Sequence, residues 1–154
     1  MNVFMRCAGT PGDVRYIREL ERSCFEHSWD NGRIDYELAK SPGRFVVTVD
    51  ERSPVVVAYM FARAFPESVR IRRIAVHCGY RRQGIATQMV DFVDELAAKS
   101  YNRDRVSIAL RESNLEAQLF FRSLGFVAVD IIREAYRDTG ESSYLMTRRV
   151  RVCR

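Results

Sequence analysis

The sequence predicts a single α/β domain of the α+β kind, in which a mixed central sheet of about seven strands is flanked by about four helices. Two observations carry this prediction. Short apolar runs of strand length alternate with segments whose apolar residues recur at helical spacing. The 154 residues are 47% hydrophobic, which suits one core, and the chain is short for two domains. We therefore expect residues 1–154 to fold as one domain in the order β-αα-βββ-α-β-α-ββ.

The first elements are separated by breaks rich in glycine and proline. Val3–Arg6 is a short apolar run that predicts a strand, and residues 9–12 form the first break. The apolar residues of Asp13–Phe25 recur on one face and predict a helix. A second, shorter helix is predicted over Asn31–Lys40, and the Ser41-Pro42-Gly43 break should end it.

Three strands should follow in succession. Phe45–Val49 and Val55–Phe61 are apolar runs joined by a polar turn. Val69–Val76 alternates apolar and arginine side chains at its start, which favours a strand with one buried and one wet face.

The second half alternates helices and strands. A long amphipathic helix is predicted from about Gly84 to Lys99 and another over Asn114–Leu124, with Gly125 placed as a C-cap glycine. The remaining predicted strands are Val106–Leu110, Phe126–Ile132 and Tyr144–Val150. Because the predicted order contains both directly successive strands and strands separated by a helix, the sheet should be mixed, with helices on both faces.

The charge balance points to a mildly basic surface. The net charge is +5 and the pI about 9.3, with 29% charged residues. The arginines are scattered along the chain, which favours a solvated surface over a nucleic-acid groove. No RNP-type aromatics, zinc ligands or recognition-helix pattern occur, so we expect no nucleic-acid partner. A basic surface would attract an anionic cofactor or an acidic partner.

The cysteines and histidines indicate no metal site. The four cysteines form no CxxC pair, and the two histidines complete no ligand cluster. Isolated thiols are typical of a reducing cytosol. We see no signal peptide and no apolar stretch approaching the ~18 residues of a membrane helix. The expected location is therefore the cytoplasm, without membrane association. The residues concerned are Cys7, Cys24, Cys78, Cys153, His27 and His77.

The most informative segment is Ile74–Thr87, where a strand runs into a basic turn that opens the longest predicted helix. The first turn of a helix has unpaired N–H groups and the positive end of the dipole, which together suit a phosphate. Gly84 and Ala86 lack bulky side chains, while Arg81 and Arg82 add positive charge. Neither a P-loop nor a dinucleotide fingerprint is present. A basic helix start that merely solubilises a turn is the alternative.

These residues carry a family resemblance. Residues 81–86 resemble the [QR]-x-x-G-x-[GA] motif of GNAT acetyltransferases, and Ile74–Val76 resembles that family's cofactor-facing strand. Residues 111–117 resemble the family's R-x-x-N-x-x-A motif, and residues 121–126 its Y-x-x-x-G-F motif. The motifs occur in the family's order, and the resemblance extends over nearly the whole chain.

Within this superfamily the chain most resembles the protein N-alpha-acetyltransferases, of the RimI type and the archaeal or eukaryotic kinds. Residues 24–29 are similar to their F-x-x-x-W segment after the first helix. Residues 133–136 and 140–146 are similar to their tyrosine-bearing loop and last strand. The resemblance implies transfer of an acetyl group from acetyl-CoA to a primary amine, such as a protein N-terminus, in a ternary complex. The protein would be a monomer or a homodimer.

The resemblance also implies which residues bind acetyl-CoA. Backbone groups of the strand would bond the pantetheine arm, the turn and helix start would hold the pyrophosphate, and Asn114 would lie near the pantetheine. A plain helix N-cap is the alternative role for Asn114, and both can coexist. The implied cofactor-binding residues are Ile74, Ala75, Val76, Arg81, Arg82, Gln83, Gly84, Ile85, Ala86, Thr87, Asn114 and Phe121. No metal is implied.

The chain departs from the family at both proton-transfer positions. Ala109 stands at the base position and Phe121 at the acid position, usually a tyrosine, and neither can transfer a proton. Tyr136 and Glu26 become the catalytic candidates, although a packed surface aromatic and an exposed carboxylate are the alternatives. His77 and Tyr144 are further candidates, more typical of structural roles. A catalytically weak acyl-CoA-binding regulatory module, or an enzyme acting on a small-molecule amine, therefore stays open.

Overall fold

The structure is a computed structural model that describes residues 2–8, 10–40 and 45–151. Seven strands form one sheet in the order β1-β2-β3-β4-β5-β7-β6. The β4–β5 pair is parallel, whereas β1–β2, β2–β3, β5–β7 and β6–β7 are antiparallel, so the sheet is mixed as predicted. In chain order the elements are β1 (Val3–Cys7), α1 (Pro11–Cys24), α2 (Asn31–Lys40), β2 (Phe45–Asp50), β3 (Val55–Ala64), β4 (Val69–Val76), α3 (Ile85–Glu95), β5 (Arg105–Arg111), α4 (Leu115–Ser123), β6 (Val127–Ile132) and β7 (Ser143–Arg149).

Every predicted helix and strand is present, and most ends differ by one to three residues. The helix predicted to reach Lys99 is the clearest exception. It leaves α-helical geometry after Glu95 and continues as a π-helical turn over Leu96–Ser100, closed by a 3.1 Å bond from Tyr101 N–H to Leu96 O. Apolar periodicity does not distinguish this wider turn from an α-helical one. The predicted break at 41–43 and Cys153 lie outside the described residues.

The start of α1 also differs from the prediction. The helix begins at Pro11 because Thr10 caps it: Asp13 N–H donates to Thr10 Oγ1 at 3.2 Å, and Thr10 N–H donates to Asp13 Oδ2 at 3.1 Å. Proline suits the first helical turn, where its missing N–H is not needed. Arg6 also donates to Asp13 at 2.8 Å, so the cap ties α1 to β1. The Thr-x-x-Asp spacing was the available sequence signal.

The described chain divides into two compact units. The first contains the chain up to Arg63 together with Arg73–Val90. Its core includes residues of α1, α2, β2 and β3, among which the rings of Phe45 and Phe61 stack with centroids 4.4 Å apart. Burial of such side chains is the main stabilising contribution to this unit.

The second unit contains Ala64–Arg72 and the chain from Asp91 onward. Its core includes the buried rings of Phe121 and Phe126, with centroids 5.1 Å apart. Asp94 and Arg148 form a buried ion pair, and Arg148 also donates to Leu124 O at 2.9 Å. Among the residues of both units that the structure describes, no helix combines the length and the hydropathy that a membrane span requires.

Candidate active site

Strand β4, the predicted cofactor strand, has the predicted bounds and one unpredicted feature. Val69, Ile71 and Ala75 are buried, and alternation along a strand places Arg73 on the same face. The alternation predicted a buried face at the start of β4, where Val69 and Ile71 confirm it, and it made no prediction for Arg73 further along the strand. Pairing with β5 covers Val69–Ile71, whereas β4 itself continues to Val76. Arg73 lies directly before Ile74–Val76, the residues predicted to bind the pantetheine arm.

His77 joins β4 to the basic turn and has a local structural role. Its N–H donates to Val57 O at 2.8 Å, and its Nδ1 accepts the Gly79 N–H at 3.1 Å, capping the short helical turn Cys78–Tyr80. Tyr80 then donates its hydroxyl to Asp50 Oδ2 at 2.7 Å, which attaches the turn to the end of β2. These bonds hold the turn in place at the end of β4, the predicted cofactor strand.

The turn itself has unusual backbone geometry. Arg82 has φ +59° and Gly84 has φ +81°, both in the left-handed region. That region suits glycine but is uncommon for arginine, and such conformations concentrate at functional sites. Arg81 folds back, with Nε donating to Val76 O at 3.0 Å. Cys24 Sγ also contacts Val76 O, at 3.5 Å, so this carbonyl already has two donors.

The start of α3 leaves donors that fit a pyrophosphate. The Gln88 N–H bonds Gly84 O at 3.0 Å, so the N–H groups of Ile85, Ala86 and Thr87 have no acceptor within the helix. A Cβ added at Gly84 would meet nothing within 4 Å, so the space beside the helix start is open. Arg82 is exposed and forms no ion pair with any described residue. This donor set matches the chemistry of a doubly charged pyrophosphate.

Two of the other residues predicted to bind the cofactor, Asn114 and Phe121, belong to the second unit. Asn114 caps α4, since its Oδ1 accepts the Ala117 N–H at 3.2 Å. Phe121 is 1% exposed and its ring packs against those of Phe120 and Phe126. The capping alternative for Asn114 is therefore observed, while the cofactor roles of Asn114 and Phe121 stay predictions.

Tyr136 lies in the β6–β7 loop, which is organised around Arg111. The Arg111 guanidinium lies 3.9 Å from the Tyr136 ring centroid and pairs with Asp138 at 3.0 Å and Glu141 at 3.2 Å. Hydrogen bonds from Ser113, Thr139 and Arg111 lower the pKa of Glu141. We did not anticipate this role of Arg111, although its motif position and the acidic residues of the loop were visible in the sequence.

Glu26 lies in the segment between α1 and α2, in the first unit. Its side chain is exposed and makes no hydrogen bond or ion pair with the described residues. It is therefore a solvated carboxylate, and its assignment as a base stays a prediction. Cys24, two residues earlier, contacts the end of β4, so this segment begins beside the predicted cofactor strand.

A buried polar cluster in the first unit was not predicted. Glu21 is fully buried and accepts bonds from the Tyr59 hydroxyl, the Arg73 guanidinium and, at 2.8 Å, the Trp29 N–H. Burial, and then the adjacent Glu21 carboxylate, raises the pKa of Tyr59 well above its ordinary value, so Tyr59 remains a donor. The signal was present in α1, where Glu21 occupies the apolar stripe four residues after Ile17.

Within residues 2–8, 10–40 and 45–151, no group of three or more histidine, cysteine or acidic side chains is placed to hold a metal ion. The candidate site consists of the start of α3, the end of β4 and the neighbouring segment after α1. Comparison with known families then decides its assignment. The acetyltransferase (GNAT) family model matches residues 14–126, more than half of the chain.

The chain belongs to the GNAT acetyltransferase family. This GNAT acetyltransferase is 33% identical to an N-alpha-acetyltransferase of Saccharolobus solfataricus over 116 residues, covering 68% of this chain and 67% of the relative. It is 29% identical to an N-alpha-acetyltransferase of Caenorhabditis elegans, covering 96% of this chain and 82% of the relative. Its fold is similar to the crystal structure of Ard1 from Thermoplasma volcanium, with a TM-score of 0.84, 22% identity and coverage of 97% and 99%.

Family membership confirms the predicted fold and enzyme class. The protein is an N-acetyltransferase that uses acetyl-CoA as its acetyl donor. The helix start after β4 fits the anionic part of that donor on the geometry described above. Ala109 and Phe121 occupy the positions at which the resembled family carries its base and its acid, and neither side chain can transfer a proton.

Proposed function

We propose that this GNAT acetyltransferase acetylates the α-amine of a protein N-terminus by direct transfer within a ternary complex. The observation that carries the proposal is the anion cradle formed by Arg82, Gly84 and the free N–H groups of Ile85–Thr87. The names of two sequence relatives, both N-alpha-acetyltransferases, support an N-terminal acceptor. The experiment that tests it is acetyl-CoA turnover against a peptide library varied at its first two residues.

The residues of the cradle bind and orient the donor. Acetyl-CoA supplies a thioester whose acyl carbon is electrophilic. Ile85, Ala86 and Thr87 would donate their backbone N–H groups to the pyrophosphate, with Arg82 adding charge. Ile74–Val76 would pair with the pantetheine arm as an added strand does. Because the Val76 carbonyl already has two donors, these contacts would use the other backbone groups of the segment.

Proton transfer requires groups that the family positions do not supply. We assign Glu26 as the base, because its exposed carboxylate can take a proton from the acceptor amine directly or through water. We assign Tyr136 as the acid that returns a proton to the leaving sulfur. Positioning the amine and thioester contributes much of the acceleration by itself, so neither group need be as effective as the family's usual residues.

Tyr136→Phe should lower kcat by about tenfold, which is below the roughly 10²–10⁴-fold typical of general-acid effects because a thiolate is already a tolerable leaving group. The phenyl ring can keep its stacking on Arg111, so only the hydroxyl is removed. The KM for acetyl-CoA should stay unchanged. Steady-state kinetics with Tyr16→Phe, a change to a half-buried tyrosine of α1, provides the control. An unchanged kcat in Tyr136→Phe would leave the ring only a packing role.

Arg82→Ala should raise the KM for acetyl-CoA by about tenfold while kcat changes little, because a charge-assisted contact to phosphate is lost. Arg105→Ala is the control, since Arg105 is an exposed arginine in the second unit without an ion pair to any described residue. Arg82→Gly separates the charge of the side chain from the conformation of the backbone, because glycine adopts the +59° φ without strain. A collapsed kcat with an unchanged KM would contradict the assignment.

A catalytically weak acyl-CoA-binding module is the second candidate function, favoured by Ala109 and Phe121 at the proton-transfer positions. Saturable acetyl-CoA binding without thiol release, across both peptides and small amines, would support it. Release with small amines alone would instead favour a small-molecule acceptor. Faster release with peptides than with small amines would support N-terminal acetylation.

We also propose that both compact units belong to one acetyltransferase domain. The family match supports this, because residues 14–126 include parts of each unit. A monomer or homodimer in the cytoplasm remains our proposal for assembly and location. Analytical ultracentrifugation would measure the assembly, and a single cooperative unfolding transition would agree with one domain.

A further inference from the structure

Arg73 is a charged residue on the buried face of β4, directly before the segment assigned to the donor. The strand positions two residues away on either side, Ile71 and Ala75, are 1% and 4% exposed. The Arg73 side chain is 17% exposed. A guanidinium in such a place needs compensating contacts, because burying an unpaired charge is strongly unfavourable.

The compensation comes from the fully buried Glu21 carboxylate. Arg73 Nε donates to Glu21 Oε1 at 3.0 Å, and Nη2 donates to the same carboxylate. Arg73 Nη2 also donates to His27 O at 3.1 Å. The Arg73 guanidinium further lies 4.0 Å from the Phe25 ring centroid and 4.8 Å from that of Trp29. The guanidinium is therefore held in one place by the segment after α1.

One nitrogen of this fixed guanidinium is unused. Arg73 Nη1 has no hydrogen-bond acceptor among the described residues. The segment that holds the guanidinium follows Cys24, whose Sγ lies 3.5 Å from Val76 O at the end of β4. The Arg73 guanidinium is held in place, is partly exposed and has unpaired N–H groups, and it lies next to the residues proposed to bind acetyl-CoA. Such a group is suited to binding a carbonyl oxygen.

We propose that Arg73 binds the acceptor, donating from Nη1 to a backbone carbonyl oxygen of the N-terminal peptide. This inference rests on the proposed function. Because Glu21 balances the charge of Arg73, the site favours a neutral carbonyl dipole and has no excess charge to select an acidic side chain. The contact therefore discriminates peptide acceptors from simple amines that lack a carbonyl group.

The test compares Arg73→Lys with the matched variant Arg63→Lys in steady-state assays. Arg63 is also paired with a buried glutamate, Glu37, at 2.7 Å and lies 5.7 Å from the Phe61 ring centroid, but it is on β3. Lysine retains a positive charge beside Glu21 but has no second nitrogen from which to donate to a peptide carbonyl. Arg73→Lys should raise the KM for a peptide acceptor by about tenfold, as expected for one lost charged hydrogen bond.

Three further readings make the result decisive. The KM for acetyl-CoA should change by less than roughly twofold in Arg73→Lys, because the lost contact is to the carbonyl of the peptide. The KM for a simple primary amine should be equally insensitive, because such an amine has no carbonyl group. Arg63→Lys should leave all three constants unchanged. An unchanged peptide KM in Arg73→Lys, or an equal increase for the simple amine, would overturn the inference.

A second variant protects the test against misfolding. If Arg73→Lys does not fold, the double variant Glu21→Gln with Arg73→Met removes both charges and leaves no unpaired ion in the core. It should show the same selective rise in peptide KM with acetyl-CoA binding retained, and an unchanged peptide KM would again overturn the inference. Wild-type protein that acetylates no peptide would instead refute the proposed function.

Discussion

Gly84→Glu should reduce acetyl-CoA affinity by at least about 100-fold, whereas Gly84→Ala should reduce it much less. Both substitutions place a Cβ on a residue with φ +81°, a strain of roughly 1–2 kcal/mol that they share. The glutamate also extends into the open space beside the helix start and sets a negative charge against a phosphate. Loss of two charge-assisted contacts of about 1.5–3 kcal/mol each accounts for the larger effect.

Isothermal titration with acetyl-CoA measures this difference directly. Gly140→Glu is the matched control, because Gly140 has φ +75° and equally open surroundings but lies in the β6–β7 loop. It carries the same backbone strain and the same added charge, yet should bind acetyl-CoA like the wild type. If Gly84→Glu, folded by circular dichroism, also binds normally, the donor's pyrophosphate does not occupy the start of α3.

Glu21→Gln should lower the free energy of unfolding by about 3–5 kcal/mol, the usual effect of removing one partner of a buried ion pair. The glutamine keeps the shape of the side chain, so the loss comes from the charge. Arg73 would then keep its position without a counter-ion, and the Tyr59 hydroxyl would bond a weaker acceptor. Urea denaturation followed by the fluorescence of Trp29 measures the change, since the backbone N–H of Trp29 also donates to Glu21.

Glu19→Ala is the control for this stability experiment. Glu19 lies on the same helix and pairs with Arg15 at 3.3 Å, but both side chains are exposed. Exposed ion pairs contribute at most about 1 kcal/mol, so this variant should unfold close to the wild-type midpoint. A loss below 1 kcal/mol in Glu21→Gln would mean that the buried cluster stabilises neither the segment after α1 nor its attachment to β4.

The donor site could be predicted from sequence because it is local. Residues 74–87 comprise the end of one strand, one turn and one helix start. The groups proposed to bind the phosphate are backbone N–H groups, whose arrangement follows from that succession. The left-handed conformation of Gly84 agrees with the choice of glycine there, whereas that of Arg82 could not be inferred from residue type. The start of α1 was predicted two residues late, although its capping box is a pattern within four residues.

The contacts of Arg73 and Arg111 could not be predicted because they join distant residues. Glu21 and Arg73 are separated by 52 positions, and Arg111 and Asp138 by 27. An amphipathic pattern shows that α1 has a buried face but does not show that a glutamate on that face meets an arginine from β4. The sequence by itself therefore determined the family and the order of elements and placed the proposed phosphate site at the start of α3, since these depend on short-range patterns and backbone geometry. Only the tertiary structure decided which charges are buried together, because that depends on which elements pack against each other.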